Sequence, residues 1–320
     1  MKLFNRDGNG GQEIASVIGL ISDDVNFSKW QPVLPLAIRD VSAIVGREPV
    51  AALSEFYENG NESEEDQEQP EAALEEALKY LRQAVALFAW LRIIPTLDAQ
   101  HDSTGRQRRL GENEKGLTAL QEFKDEQNIL RMAYEAVDAF VELLDREKPS
   151  FWVESPKYEM RKKLLIQSKE QFDEFYNIGS HRLFVTLLPI IREVQAAEVA
   201  PVLGRTHLNE LLSGSNPEVT DLLFEPAARA VVLLTMKKAI ERLPVEVIPE
   251  GVVQIQQSQP INSRLKAEQA ARAAVAASLG NDAKKYLENL QGIVAELDEA
   301  GQTEERSAGG PIAHSKGLTF

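Results

Sequence analysis

The chain contains no cysteine among its 320 residues. This absence excludes disulfides, cysteine nucleophiles and zinc sites built on thiolates, and it fits a protein that folds in a reducing cytoplasm. Histidine is also scarce. The four histidines show neither the His-x-x-x-His nor the His-Glu-x-x-His spacing of a metal site; they are His101, His181, His207 and His314. The sequence therefore predicts no metal centre.

Long hydrophobic runs are missing as well. The most apolar stretch, Ala84 to Ile94, is about half of the ~20 residues needed to span a bilayer, and Arg92 interrupts it. Met1 to Gly11 lacks the apolar segment of a secretory signal. We therefore expect no membrane span and no membrane partner.

Basic residues are few relative to acidic ones. The chain has 35 lysines and arginines against 50 acidic residues, which gives a formal net charge of -15. A protein of this charge is not broadly attracted to nucleic acid or to an anionic membrane. The hydrophobic content of 43%, with 27% charged residues, is typical of globular proteins and argues against disorder throughout.

The sequence also lacks a recognisable catalytic motif. The glycines of Gly8 to Gly11 have neither the lysine nor the preceding strand of a phosphate-binding loop. Ser213 to Ser215 reads as a turn at a helix end and not as a nucleophile elbow. Carboxylates are abundant, as expected for solvated helix surfaces. We predict no catalytic residue, no cofactor and no enzymatic activity.

An internal repeat organises what is present. Residues 33–41 (VLPLAIRDV) align with residues 186–194 (TLLPIIREV), and each run is followed by a Gly-Arg pair. The second copy has five extra residues between its arginine and its glycine. Further on the offset is constant, because Ala84 to Phe88 matches residues 230–234 and Gly105 matches Gly251. We infer a tandem duplication.

The repeat predicts a mainly α fold with two helical units, residues 1–150 and 151–300, followed by a flexible tail over residues 301–320. Each unit is expected to contain a helix, a loop, a long helix, a small β-hairpin and a last helix. Two sets of apolar residues at helical spacing define the core faces of the first unit's long and last helices: Leu74, Leu78, Leu81, Val85 and Phe88, and then Ile129, Ala133, Ala136, Phe140 and Leu143.

The hairpins are expected near residues 95–111 and 244–258, each just before the last helix of its unit. In the second copy, β-branched residues flank a Pro-Glu-Gly turn, and in the first copy Asp102 to Gly105 occupies the turn. A two-stranded hairpin alone is marginal in water. We therefore expect each hairpin to depend on its own unit or on a neighbouring subunit.

Two further segments lie outside the repeat pattern. Glu58 to Glu71 is an acidic run that reads as a solvated loop. Lys157 to Tyr176 joins the units and reads as helical, with three apolar residues pointing inward, namely Leu165, Phe172 and Phe175. The tail, Gly301 to Phe320, lacks periodicity and is expected to be flexible unless a partner orders it.

Arginines supply the candidate interaction residues. Arg106, Arg108 and Arg109 follow the first hairpin turn in an otherwise acidic chain, and could bind phosphate or an acidic patch on another subunit. The alternative is a solvated strand, because the second copy has Val252, Val253 and Gln254 there. Phe320, at the end of the tail, is a further candidate.

A second arginine feature is present in both copies. Arg39 and Arg192 each stand beside an acid on an apolar helix. We expect each arginine to be partly buried and to pair with a carboxylate or with helix-ending carbonyls. The alternative is a contact with another subunit.

Residues 152–204 carry a family resemblance, above all in the runs Ser168 to Phe172 (SKEQF), Ile178 to Phe184 (IGSHRLF) and Ala200 to Gly204 (APVLG). With the hairpin around Gly105 and the run Tyr134 to Asp138 (YEAVD), the resemblance covers about two thirds of the chain. The chain resembles a family encoded by Bacteroidota and their tailed phages and prophages, whose members look like helical connector proteins of the head-to-tail junction. His181 and the acidic loop from Glu58 depart from that pattern.

The resemblance implies a structural protein of the virion, a head-tail connector or neck adaptor that is assembled in the host cytoplasm. Its implied partners are copies of itself in a ring of about twelve subunits, the portal and the tail proteins, with DNA only as the passing genome. Two alternatives stay open: a tail-completion, other tail or internal virion protein, and a cellular helical scaffold or binding module.

Overall fold

The structure is a computed structural model of the chain and describes residues 1–21, 25–59, 71–102, 105–108, 117–243, 245–248, 251–254 and 269–308. For the strands and for residues 71, 98 and 301–308 it describes the backbone alone. The chain divides into two compact units: the first holds Met1–Arg161 and Gly179–Thr186, and the second holds Lys162–Ile178 and Leu187–Phe320. Residues 151–161 thus belong to the first unit, although the sequence placed them in the second.

Helices account for most of the described chain. The first repeat consists of α2 (Leu34–Val45), α3 (Arg47–Asn59), α4 (Glu71–Asp98) and α5 (Ala119–Glu147), and it is preceded by α1 (Gly10–Ile18) and a 3-10 turn (Phe27–Lys29). Three short helices follow: α6 (Ser150–Val153), α7 (Pro156–Arg161) and α8 (Lys169–Asp173). The second repeat consists of α9 (His181–Val194), a π-helical turn (Gln195–Val199), α10 (Ala200–Ser213), α11 (Pro217–Arg242) and α12 (Gln269–Ala308).

The two repeats share their junctions as well as their helix order. Gly46, between α2 and α3, has φ 101° and ψ 163°, and Gly204 has φ 71° and ψ 170°. This combination of positive φ and extended ψ is open almost only to glycine. Gly204 interrupts the helical path of α10, so it is the true counterpart of the junction at Gly46. The Gly-Arg alignment thus marks one and the same backbone turn in both copies.

The five extra residues of the second copy fall where the π-helical turn lies. That turn, Gln195–Val199, is itself five residues long and follows α9 directly. Gln195 is buried, accepts a hydrogen bond from the backbone N–H of Leu165 at 2.7 Å, and donates one to the carbonyl of Lys163 at 2.9 Å. The insertion therefore holds the segment that precedes α8 against the second unit.

The fold class needs a correction in its β structure. Residues 95–98, predicted as part of the first hairpin, are the last turn of α4, which continues through Pro95. Proline removes one helical hydrogen bond, but Pro95 is exposed near the helix end, where the loss is tolerated. Within the described residues, strand geometry is limited to two isolated four-residue pairs, Ala99–Asp102 with Gly105–Arg108 and Val245–Ile248 with Gly251–Gln254.

In the part of the chain that the structure describes, neither strand pair is joined by a further strand, so neither forms a sheet face that could bury a core. The described core is made by helices. A helical unit with an inserted β-hairpin is therefore the wrong description of the fold class, and two helical repeats is the corrected one.

Two expectations about the connecting and terminal segments also change. Lys157 to Tyr176 is not one helix, because α7 ends at Arg161 and α8 begins at Lys169. Leu165 and Phe172 are buried as predicted, and Phe175 is half-buried. α12 continues to Ala308, so the first residues of the predicted flexible tail are helical, whereas residues 309–320 lie outside the described residues.

The core of each repeat lies between its two long helices. All five apolar residues predicted for the inner face of α5 are buried, which confirms that periodicity. On α4, Leu81, Val85 and Phe88 are buried, and the Phe88 ring meets the edge of Tyr134 on α5 at 5.4 Å between ring centroids. In the second repeat, Leu234 of α11 and Ala283 of α12 are buried in one cluster with Val194 of α9.

Candidate functional site

The candidate residues taken from the sequence fall at the edge of the described chain. Arg106 and Arg108 lie on the second strand of the first pair, where their Cα partners are His101 and Ala99. Their side chains, and Arg109 and Phe320 altogether, lie outside the described residues. Their role as interaction residues stays a prediction.

The most deeply buried charges form a cluster in the first unit around Asp145. One carboxylate oxygen of Asp145 accepts hydrogen bonds from the indole N–H of Trp152 at 2.8 Å and from the guanidinium of Arg161 at 2.7 Å. The other oxygen lies 3.8 Å from Nδ1 of His181. Arg161 is only 2% exposed, and its guanidinium lies 5.0 Å from the ring of Trp152 and 5.3 Å from that of Phe184.

The charges of this cluster compensate each other. Burial raises the pKa of Asp145, but the nearby imidazole of His181, the hydrogen bonds from Arg161 and Trp152, and the charge of Arg161 outweigh burial, so the pKa lies below its ordinary value. An ionised carboxylate with a buried guanidinium is a compensated pair and not a poised acid or base. The cluster connects the end of α5 to α6, α7 and the start of α9. Its role is therefore structural.

A second polar cluster fixes the N-terminal segment. A carboxylate oxygen of Glu13 on α1 accepts hydrogen bonds from the hydroxyl of Tyr57 at 2.7 Å and from the guanidinium of Arg82 at 2.6 Å. Arg82 also lies over the rings of Phe4 and Tyr57. Burial, with the hydrogen bond to Glu13, raises the pKa of Tyr57 to about 12. The segment before α2 is therefore part of the folded first unit.

An acid-base contact occurs at equivalent positions of both repeats. Asp40 on α2 pairs with Arg92 on α4, and Glu193 on α9 pairs with Lys238 on α11 at 3.0 Å. Arg92 and Lys238 are separated by the same offset as Gly105 and Gly251, and Asp40 aligns with Glu193. Arg242 adds a second cation to Glu193 at 2.5 Å. Each repeat therefore joins its first helix to its long helix by the same contact.

Sequence reasoning named the wrong member of each pair at these helices. We expected Arg39 and Arg192 to be partly buried, but Arg192 is exposed and the side chain of Arg39 is 74% exposed. The neighbouring acids make the contact within the repeat instead. Arg92 and Lys238 were the signal that could have revealed the pairing of the acids, because both are basic and they are separated by the 146-residue offset of the repeat.

Exposed large apolar side chains occur in both repeats. Leu36 on α2 is 41% exposed and Leu222 on α11 is 52% exposed. Two more pairs flank the strand pairs: Leu117 and Leu120 in the first repeat, and Leu243 and Val275 in the second.

The described part of the chain contains no group of three or more histidine or acidic side chains placed to hold a metal ion. Of the histidines whose side chains are described, His181 belongs to the Asp145 cluster, and His207 bonds Glu210 at 2.9 Å and Asp298 at 3.2 Å. Among the described helices, none combines the length and the apolar character that crossing a bilayer requires.

Comparison with known proteins gives a family but no function. No curated protein and no solved structure gives a significant match to the chain. One family model, described as "Family of unknown function (DUF6712)", matches residues 50–162 and again residues 192–296. The two matches support the tandem duplication, since one segment falls in each repeat, and together they cover more than half of the sequence. The chain therefore belongs to the DUF6712 family.

Proposed function

We propose that the chain is a structural protein of a tailed-phage particle, a head-tail connector or neck adaptor that acts by binding other protein subunits. The position in the particle is supported only by the resemblance of residues 152–204 and the segments around Gly105 and Tyr134 to connector proteins. The mode of action is supported by the surface of the repeats. The partners proposed are copies of the chain in a ring, the portal and the tail proteins.

One observation carries the binding mode. Both helical repeats expose large apolar side chains, such as Leu36 in the first and Leu222 in the second. The charged clusters with the deepest burial, around Asp145 and Glu13, are occupied by contacts within the first unit. A chain whose buried charges are compensated, and whose exposed leucines offer apolar area that a partner can bury, is suited to docking.

The net charge agrees with this proposal. A neck adaptor surrounds the passing genome, and a formal charge of -15 repels the phosphate backbone. DNA would therefore pass without being held.

The position is tested by electron microscopy of purified particles that carry a labelled copy of the chain. The proposal expects label or density at the neck, between portal and tail. Label confined to the tail or to the interior of the head would instead support a tail or internal virion protein. Particles without the chain, or a gene that lies apart from portal and capsid genes, would support a cellular helical scaffold and contradict the proposal.

A further inference from the structure

We infer that neighbouring copies of this chain bind through a specific pair of surfaces: the exposed face of α2 with Leu36 and Arg39, and the first turns of α11 with Glu218, Asp221 and Leu222. This inference rests on the proposed function and names the surfaces that join the subunits. The contact is heterologous, because it pairs a helix of the first repeat with a helix of the second repeat from another copy.

The duplication gives the first reason. A base stands at Arg39 and again at the aligned Arg192, and both are exposed. The acid beside each one is bound within its own repeat, Asp40 to Arg92 and Glu193 to Lys238. The contact of Arg39 with Asp40 is long, at 3.8 Å. Both repeats thus have a base at this position that makes no strong contact inside the described part of its own repeat. We infer an acidic partner on another copy of the chain.

The leucines decide which repeat contributes which surface. Leu36 lies three residues before Arg39 on α2, so both lie on one exposed face. The aligned position in the second repeat is Pro189, which offers less apolar surface. An exposed leucine three residues before a base is therefore found on α2, whereas α9 has the smaller Pro189 there.

The first turns of α11 carry the complementary surface. Glu218, Asp221 and Leu222 are all exposed and lie at helical spacings of three and four residues. Leu222 is 52% exposed. The position that corresponds to Leu222 in the first repeat is Glu76. The combination of acid and leucine therefore occurs only on α11 at this pair of positions.

Charge and apolar character thus match across the two surfaces. The leucines supply burial of apolar area, and Arg39 opposite Glu218 and Asp221 sets the orientation, since complementary charges favour one register over others. After one heterologous contact, the copy that contributes α2 still has its α11 surface unused and its partner still has its α2 surface unused, so the contact propagates to a closed ring or an open filament. Such a contact suits the ring of the proposed function.

The absence of cysteine allows a direct cross-linking test on the full-length chain. Leu36→Cys and Leu222→Cys are placed in separate proteins with tags of different size, mixed, and treated with a short bis-maleimide. We expect a mixed Leu36→Cys with Leu222→Cys product in several-fold excess over either homodimer. Leu36→Cys mixed with Leu117→Cys is the matched control, because Leu117 is as exposed as Leu222, and it should give little product.

A charge-reversal set tests the same contact by sedimentation velocity. Arg39→Glu and Asp221→Arg should each weaken self-association by about tenfold or more, because like charges then face each other. Combining them in one chain should restore association. Arg131→Glu, on the exposed side of α5, is the control and should leave association unchanged. Circular dichroism verifies that each variant is folded.

Several results overturn the inference: a mixed product no stronger than the Leu117 control, a predominant Leu36→Cys homodimer, or an Arg39→Glu variant that associates like the unchanged chain. These results are distinguishable from failure of the proposed function. A chain found at the neck that fails the cross-linking test removes this contact alone. A chain that cross-links as expected but is missing from particles removes the phage position alone.

Discussion

Glu193 on α9 accepts a hydrogen bond from Lys238 on α11 at 3.0 Å, in the second repeat, where Asp40 and Arg92 make the same contact in the first. Glu193 also accepts a hydrogen bond from Arg242, and the two cations together lower its pKa to about 2. The first helix and the long helix of a repeat meet in the same way in both copies. The contact is therefore a feature of the ancestral module and not of one copy.

Glu193→Gln should reduce stability near neutral pH and have less effect in acid. The pKa of Glu193 is lowered in the folded chain, first by Arg242 and then by Lys238, so its contribution is present above the unfolded pKa and is lost as pH falls toward about 2. We expect the Tm difference between the unchanged chain and Glu193→Gln to shrink over this window. Glu55→Gln, exposed on α3, is the control. A Tm difference independent of pH would contradict the prediction.

Gly46→Ala and Gly204→Ala should each lower the free energy of unfolding by about 1 to 3 kcal/mol, because a side chain at positive φ with extended ψ is strained. The matched control is Gly292→Ala on α12, where nothing lies within 4 Å of an added Cβ. In that helix alanine should raise stability by up to about 1 kcal/mol. Urea unfolding measures all three. Equal effects at Gly204 and Gly292 would show that the junction is not a constrained turn.

Asp145→Asn should lower the free energy of unfolding by about 3 kcal/mol or more, because it leaves the guanidinium of Arg161 buried without a compensating charge. The double variant Asp145→Asn with Arg161→Met removes both charges and should recover part of that loss. Denaturant titration of the three proteins gives the comparison. A double variant less stable than Asp145→Asn alone would contradict the prediction. It would mean that the packing of the Arg161 side chain contributes more to stability than its uncompensated charge costs.

His207 should make the stability of the second unit depend on pH near neutrality. Burial lowers its pKa, but the hydrogen bonds to Glu210 and Asp298 outweigh burial and raise the pKa above the ordinary value of 6.5. A histidine whose pKa is raised by folding stabilises the fold fully at pH values below its pKa in the unfolded chain. This contribution is lost as the pH rises through its pKa in the folded chain. The Tm advantage over His207→Gln should therefore fall as the pH rises above 6.5 and through the raised pKa of the folded chain. Asp298→Asn should weaken that fall.

The sequence predicted the helical repeat well because the repeat depends on local features of the sequence, namely apolar spacing and glycine positions. Apolar spacing located the core faces of α4 and α5, and the Gly-Arg pairs marked a backbone turn that only glycine adopts readily. The five extra residues were visible as a gap, but their conformation was not. A π-helical turn has no composition of its own, and here it depends on hydrogen bonds from Gln195 to a distant segment.

The contacts between helices could not be read in the same way. In both repeats the sequence has a base followed directly by an acid, Arg39 with Asp40 and Arg192 with Glu193. Which of the two side chains points toward the long helix depends on how the first helix is rotated against it. Pro95 was misread for a different reason, since a proline that is exposed near a helix end leaves a lost hydrogen bond that solvent can replace. Tertiary packing decided the first case, and exposure near the helix end decided the second.

The π-helical turn that follows α9 has no counterpart after α2, where Gly46 follows the helix directly, and this difference makes the two described repeats non-equivalent. Two identical modules in tandem would present equivalent surfaces twice, and an incoming protein would find no difference between them. An extra turn beside Gln195 in the second module breaks that equivalence at the level of the backbone. A ring in which all such chains have the same orientation has two different faces, so it can receive one kind of neighbour on one face and another kind on the opposite face.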